Sequence, residues 1–156
     1  MRKVLKKHFW QKKMNKNRKE LKIYSLVILL LVALSLAKTI IDLCLHGLPK
    51  AAPAEGLTQE TMDVIAIIVC VFGFIIFIPQ IYVGLKGLFI ANGADGSGKL
   101  HKILAIILAI FALINVISSI ASFSSGFNVS KLLDAINAAL DVVIFACYFY
   151  YARKIA

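Results

Sequence analysis

Four long apolar runs, residues 23–45, 62–90, 103–120 and 132–151, constrain this chain more than any other feature. Each is close to or above the ~20 apolar residues with which a helix crosses the hydrocarbon core of a bilayer. Backbone amides find no water there, so such runs fold as helices. A chain of 156 residues has no core large enough to hide four of them. The predicted fold is therefore all-α: a polytopic membrane protein, a four-transmembrane-helix bundle over residues 23–156 behind a basic tail, residues 1–22. Hydrophobic residues make up 60% of the chain, against ~45–50% in soluble domains. The connecting segments, about 43–61, 91–102 and 121–131, leave no room for a separate soluble domain.

The cations predict the topology. Lysine and arginine accumulate in cytoplasmic loops. Of the 18 Lys and Arg, all but Lys38, Lys50 and Lys131 lie in the tail, the second loop region (Lys86, Lys99, Lys102) or the C-terminus (Arg153, Lys154). Both termini are thus expected in the cytoplasm. Tyr24, Tyr148, Tyr150 and Tyr151 then fall at the inner interface, where amphipathic rings settle. A rival reading exists for the first run: a basic stretch, an apolar core and Ser35-Leu36-Ala37 resemble a secretory signal ending before Lys38. The apolar character resumes at residues 39–45, which favours an uncleaved helix.

Polar side chains in lipid turn inward, so their spacing marks the buried face of each helix. In the first run these are Ser35, Lys38, Thr39 and Asp42. In the second, Gly73, Gln80, Gly84 and Gly87 share a face, and Pro79 is expected to kink the helix or to sit in a locally unwound turn. Ala105, Ala109, Ala112, Asn115 and Ser119 form a small-residue stripe that lets backbones approach. Asp134, Asn137, Asp141 and Tyr148 form one seam of the fourth helix. A buried polar cluster of Lys38, Asp42, Asn115, Asp134, Asn137 and Asp141 is expected in the outer half of the bundle. A charge at a helix centre costs about 2.5–3.5 kcal/mol on insertion scales, so Lys38 needs a partner. Asp141 is the cross-helix choice and Asp42, four residues on, the local one. A pair that only fixes helix register and a binding site or proton relay both fit this pattern.

Catalytic motifs fail on inspection. Residues 93–99, GADGSGK, fit the phosphate-cradling G-x-x-x-x-G-K, but Leu100 stands where a serine or threonine must hold Mg²⁺, and an apolar helix precedes the loop where a strand belongs. Cys44, Cys70 and Cys147 lie on different helices and form no C-x-x-C. His8, His46 and His101 are dispersed, and His101 beside Lys102 reads as an interfacial base. Asn128-Val129-Ser130 is a formal glycosylation sequon, with Ser130 equally suited to cap the fourth helix. No catalytic residue, metal site or cofactor is expected, and the chain is not read as an enzyme.

The tail carries Arg2, Lys3, Lys6, Lys7, Lys12, Lys13, Lys16, Arg18, Lys19 and Lys22 against one acid, Glu20. Each juxtamembrane cation gains about 1 kcal/mol near anionic lipid. The expected contact is with the anionic headgroups of the bilayer. Nucleic acid fits poorly, because only Phe9 and Trp10 are available to stack on bases and no recognition motif is present. An acidic protein partner remains open.

Two resemblances add to this reading. Ile78-Pro79-Gln80-Ile81-Tyr82 resembles the proline–glutamine signature of PQ-loop transporters, which implies a hinge at Pro79 and Gln80 and a small transporter working as an oligomer. The extra first helix, the seam from Asp134 to Asp141 and the lack of a tryptophan–asparagine sugar pocket depart from that pattern. The stretch 79–107, with YVGLKG at 82–87, Ile90-Ala91-Asn92 and Lys99-Leu100-His101-Lys102, is similar to a group of small four-helix membrane proteins of Gram-positive bacteria. That similarity implies the architecture and a plasma-membrane location, and no activity. The leading expectation is a non-enzymatic accessory or interaction protein, partnered by a second copy or by a larger membrane protein.

Overall fold

A computed structural model describes residues 2–47, 58–125 and 128–155. It comprises helices α1 (Arg2–His46), α2 (Gln59–Ala91), α3 (Leu100–Ala121) and α4 (Val129–Ile155), with a 3-10 turn, Ser122–Ser125, after α3. No strand occurs among the described residues. The helices contain the four apolar runs and overrun each at both ends, and all four are long and apolar enough to cross a membrane. Consecutive helices pack side by side, and α4 returns against α1, so the bundle closes into a ring.

Local chemistry sets the ends. Thr58 caps α2, its hydroxyl accepting the Thr61 N–H at 3.3 Å, as an N-cap side chain does. At the other end the chain leaves through a left-handed glycine, Gly93, at φ +111°. The Gly93 N–H donates to the Ile90 carbonyl at 3.1 Å and the Ala94 N–H to the Phe89 carbonyl at 2.9 Å. That crossed pair is the Schellman closure, which needs a residue free of a Cβ clash at this point. Lys131 in the first turn of α4 donates from Nζ to the Ser122 carbonyl at 2.8 Å, tying the turn to the helix that follows.

Two expectations change. Pro79 lies inside an unbroken α2, so the locally unwound turn is not formed. The basic tail is helical and continuous with the first span: α1 has 45 residues, ~68 Å at 1.5 Å each, about twice a hydrocarbon core. Lys, Arg, Leu and Glu are good helix formers, and no Pro or Gly interrupts residues 2–46.

Packing is concentrated at one end. On α1 the buried residues are Asn17, Leu21, Ser25, Ile28 and Val32, a stripe stepping by four, four, three and four. They meet Val83 and Ile90 of α2, Ala105 and Leu108 of α3, and Phe145, Tyr148 and Ala152 of α4. Gly87 lies at the centre. A Cβ added there would collide with Ser25 Oγ and the Tyr148 ring, and one at Gly84 would come within 2.7 Å of the Leu29 side chain. These glycines are what permits the close approach of α1, α2 and α4, the role small residues play where lipid supplies no hydrophobic drive between helices. Gly73, expected on the same face, meets nothing within 4 Å.

Candidate functional site: a polar groove between the first and fourth helices

The sequence-derived cluster is only partly assembled. Ser35 and Lys38 of α1 and Asn137 and Asp141 of α4 line one groove of about 270 Å³, walled by Leu31, Leu34 and Leu140. Lys38 and Asn137 are exposed and Asp141 is half-buried. Asn115 and Asp134 are exposed as well and do not line the groove. The side chain of Asp42 lies outside the described ones. The cluster is therefore a lateral groove rather than a buried core, because the ring of helices that closes tightly around Gly87 leaves α1 and α4 less covered here.

Neither Lys38 nor Asp141 has an ion-pair or hydrogen-bond partner among the described residues. The expected Lys38–Asp141 contact within one chain is absent, although both line the same groove. Their depths agree. The stacked rings of Tyr24 and Tyr151, 5.6 Å apart, mark a common level on α1 and α4. At ~1.5 Å per residue Lys38 lies ~21 Å and Asp141 ~15 Å from that level, within the reach of a lysine side chain.

The opposite end holds what the sequence reading missed. His101 is fully buried within the bundle, with its ring edge-on to Tyr148 at 6.4 Å between centroids. Tyr148, read both as part of the inward seam of the fourth helix and as lying at the inner interface, is fully buried as well. Both His101 nitrogens and the Tyr148 hydroxyl are buried without a hydrogen-bond partner among the described residues. The signal was present: His101, Ala105, Leu108 and Ala112 share one stripe, and Ala105 was already read as buried. Tyr150 does face outward, and Lys154 donates to its hydroxyl and lies 3.8 Å over its ring.

The remaining motifs lie outside this groove. In the glycine-rich loop Asp95 accepts hydrogen bonds from the Ser97 N–H at 2.9 Å and the Ser97 hydroxyl at 2.5 Å. These hold its carboxyl below the ordinary carboxylate value, the hydroxyl contributing most. A carboxylate thus occupies the turn in which a phosphate would need donors. The cysteines are free, and no group of three metal-ligating side chains forms among the described residues. Pro79 and Gln80 are half-buried on α2 and do not line the groove. A wholly apolar cleft of about 280 Å³ lies between α3 and α4, floored by Ala105 and Ala109 and walled by Phe145 and Phe149. No family model, curated protein or solved structure matches the chain.

Proposed function

We propose that this chain is a plasma-membrane protein without catalytic activity, which acts by docking to another membrane-embedded chain. The groove supports the reading most directly: Lys38, Asn137 and Asp141 are polar groups at membrane depth. Lipid cannot hydrogen-bond them, so a protein partner is the natural cover. The cation distribution supports a cytoplasmic location for both termini. On that topology the closed end at Gly87 is cytoplasmic and the groove opens in the outer half.

The tail supplies the second contact. Headgroup contact is assigned to the basic tail, in which Lys16, Arg18, Lys19 and Lys22 stand nearest the first apolar run. A peptide of residues 1–22 is expected to bind anionic vesicles, to weaken as salt screens it, and to ignore neutral vesicles. Charge reversal of Lys16, Arg18, Lys19 and Lys22 should remove most of that binding. Salt-independent binding would argue for a protein-specific role instead.

A transporter reading draws on one feature, the asymmetry between a sealed cytoplasmic end and an accessible outer groove. Proteoliposome uptake separates the two, with Asp141→Asn as control. Extraction from native membranes in polymer-bounded lipid discs tests the docking role: the protein is expected in a complex of fixed stoichiometry. A solitary chain that drives Asp141-dependent uptake would overturn the docking role and establish the transporter.

A further inference from the structure

The groove carries one charge of each sign, on two neighbouring helices, at similar depth and unpaired with each other. That arrangement is self-complementary. A two-fold rotation about an axis through the groove exchanges the α1 wall for the α4 wall, bringing each Lys38 opposite the other copy's Asp141. Two-fold interfaces are built this way, residue i meeting j while j meets i. Copies inserted by the same distribution of cations share one orientation, so the axis runs along the membrane normal and depth is preserved.

We propose that the α1–α4 groove is a self-association surface, in which two parallel copies of this chain form two reciprocal Lys38–Asp141 pairs. Around them Leu31, Leu34 and Leu140 supply apolar contact. Asn137 has both donors and acceptors and meets its own counterpart near the axis. This inference rests on the docking role above and names its partner.

Depth favours a second copy over a lipid headgroup. Lys38 lies ~12 Å inside the His46 end of α1, and Asp141 ~18 Å inside the Val129 end of α4. A headgroup that reached both charges would leave the interface by that distance. The apolar cleft between α3 and α4 has no charge with which to choose a partner.

The test uses two full-length variants, Lys38→Met and Asp141→Leu, labelled with a donor and an acceptor fluorophore and reconstituted together in liposomes. Each homodimer places two unpaired charges of one sign in the interface. The heterodimer keeps one intact pair and one apolar contact. Energy transfer should therefore show the heterodimer at least ten-fold over either homodimer, with the wild-type chain dimeric and the doubly substituted chain restored to dimers. No heterodimer preference would place the pairs within one chain, including Lys38 with Asp42, and overturn the proposal. Should either variant misfold, Lys38→Gln and Asp141→Asn make the same comparison. A wild-type chain that stays monomeric at high protein-to-lipid ratio also overturns self-association. If that monomer still co-purifies with a different protein from native membrane, the docking role survives; if it is alone, both readings fall.

Discussion

The two ends of the bundle differ in how far they bury their polar groups. At the Gly87 end, four helices meet so closely that a methyl group has no space, and His101, Tyr148 and Ser25 are fully buried. Ser25 satisfies itself by donating to the Leu21 carbonyl at 2.7 Å. At the Lys38 end only α1 and α4 present serine, asparagine and two charges to a groove that remains open. A single chain packs the first region shut, although both His101 nitrogens and the Tyr148 hydroxyl find no partner there among the described residues, and leaves the second open. The tight packing thus lies at one end and the proposed association surface at the other.

That contrast can be broken by substitution. The largest effect is expected from Tyr148→Ala, which empties a fully buried aromatic site. Such truncations cost about 3–5 kcal/mol, and thermal unfolding in lipid discs should fall well below wild type. Truncation of Leu140 to alanine in the α1–α4 groove should leave a single chain nearly unchanged. Equal losses would remove the distinction between the ends. Next is Gly87→Ala, whose added methyl meets Ser25 and Tyr148. Overpacking of this kind costs about 1–3 kcal/mol, several degrees of melting temperature for a chain of this size. Gly73→Ala meets nothing and should be neutral or slightly stabilising, since glycine weakens a helix by ~1 kcal/mol. Identical melting temperatures for the two variants would contradict the packing at Gly87.

Smaller still is the expected effect of Asn137→Leu. In a dilute, single-chain preparation it should not lower stability, because it takes an amide away from an exposed position; a marked loss would mean that Asn137 is bonded within its own chain. The smallest concerns the loop at the closed end. The two Ser97 hydrogen bonds lower the Asp95 titration. Their contribution is present above the unfolded carboxylate value and is lost as pH falls through the lower folded value. Ser97→Ala should move the Asp95 midpoint upward in an NMR titration. An unmoved midpoint would detach the shift from Ser97.

Much of this was legible in the residues. The apolar runs placed the spans, but the buried stripe of α1 is Asn17–Leu21–Ser25–Ile28–Val32, whereas Ser35 and Lys38, read as its inward face, are exposed. Gly84, Gly87, Ala105 and Ala112 were identified as close-approach positions and are buried. Periodicity fixes which way a side chain faces, but not how far along a helix its neighbour remains in contact. That is why Asn115 and Asp134 were placed in a buried cluster and are exposed. The continuity of α1 was missed for another reason: hydropathy ends at Lys22, whereas helix propensity does not. His101 was judged by its neighbour Lys102 rather than by the stripe it shares with Ala105.

Oxygen-induced relaxation of side-chain methyl groups, measured by NMR in lipid discs with one chain per disc and then with two, tests this contrast most directly and needs no substitution. Leu21 and Leu108, 0% and 4% exposed, should be shielded from dissolved oxygen in both preparations. Leu34 and Leu140, 58% and 52% exposed, should be accessible with one chain and become shielded with two. Shielding of all four in single-chain discs, or continued exposure of Leu34 and Leu140 in two-chain discs, would contradict a bundle that is closed at one end and completed by a second copy at the other.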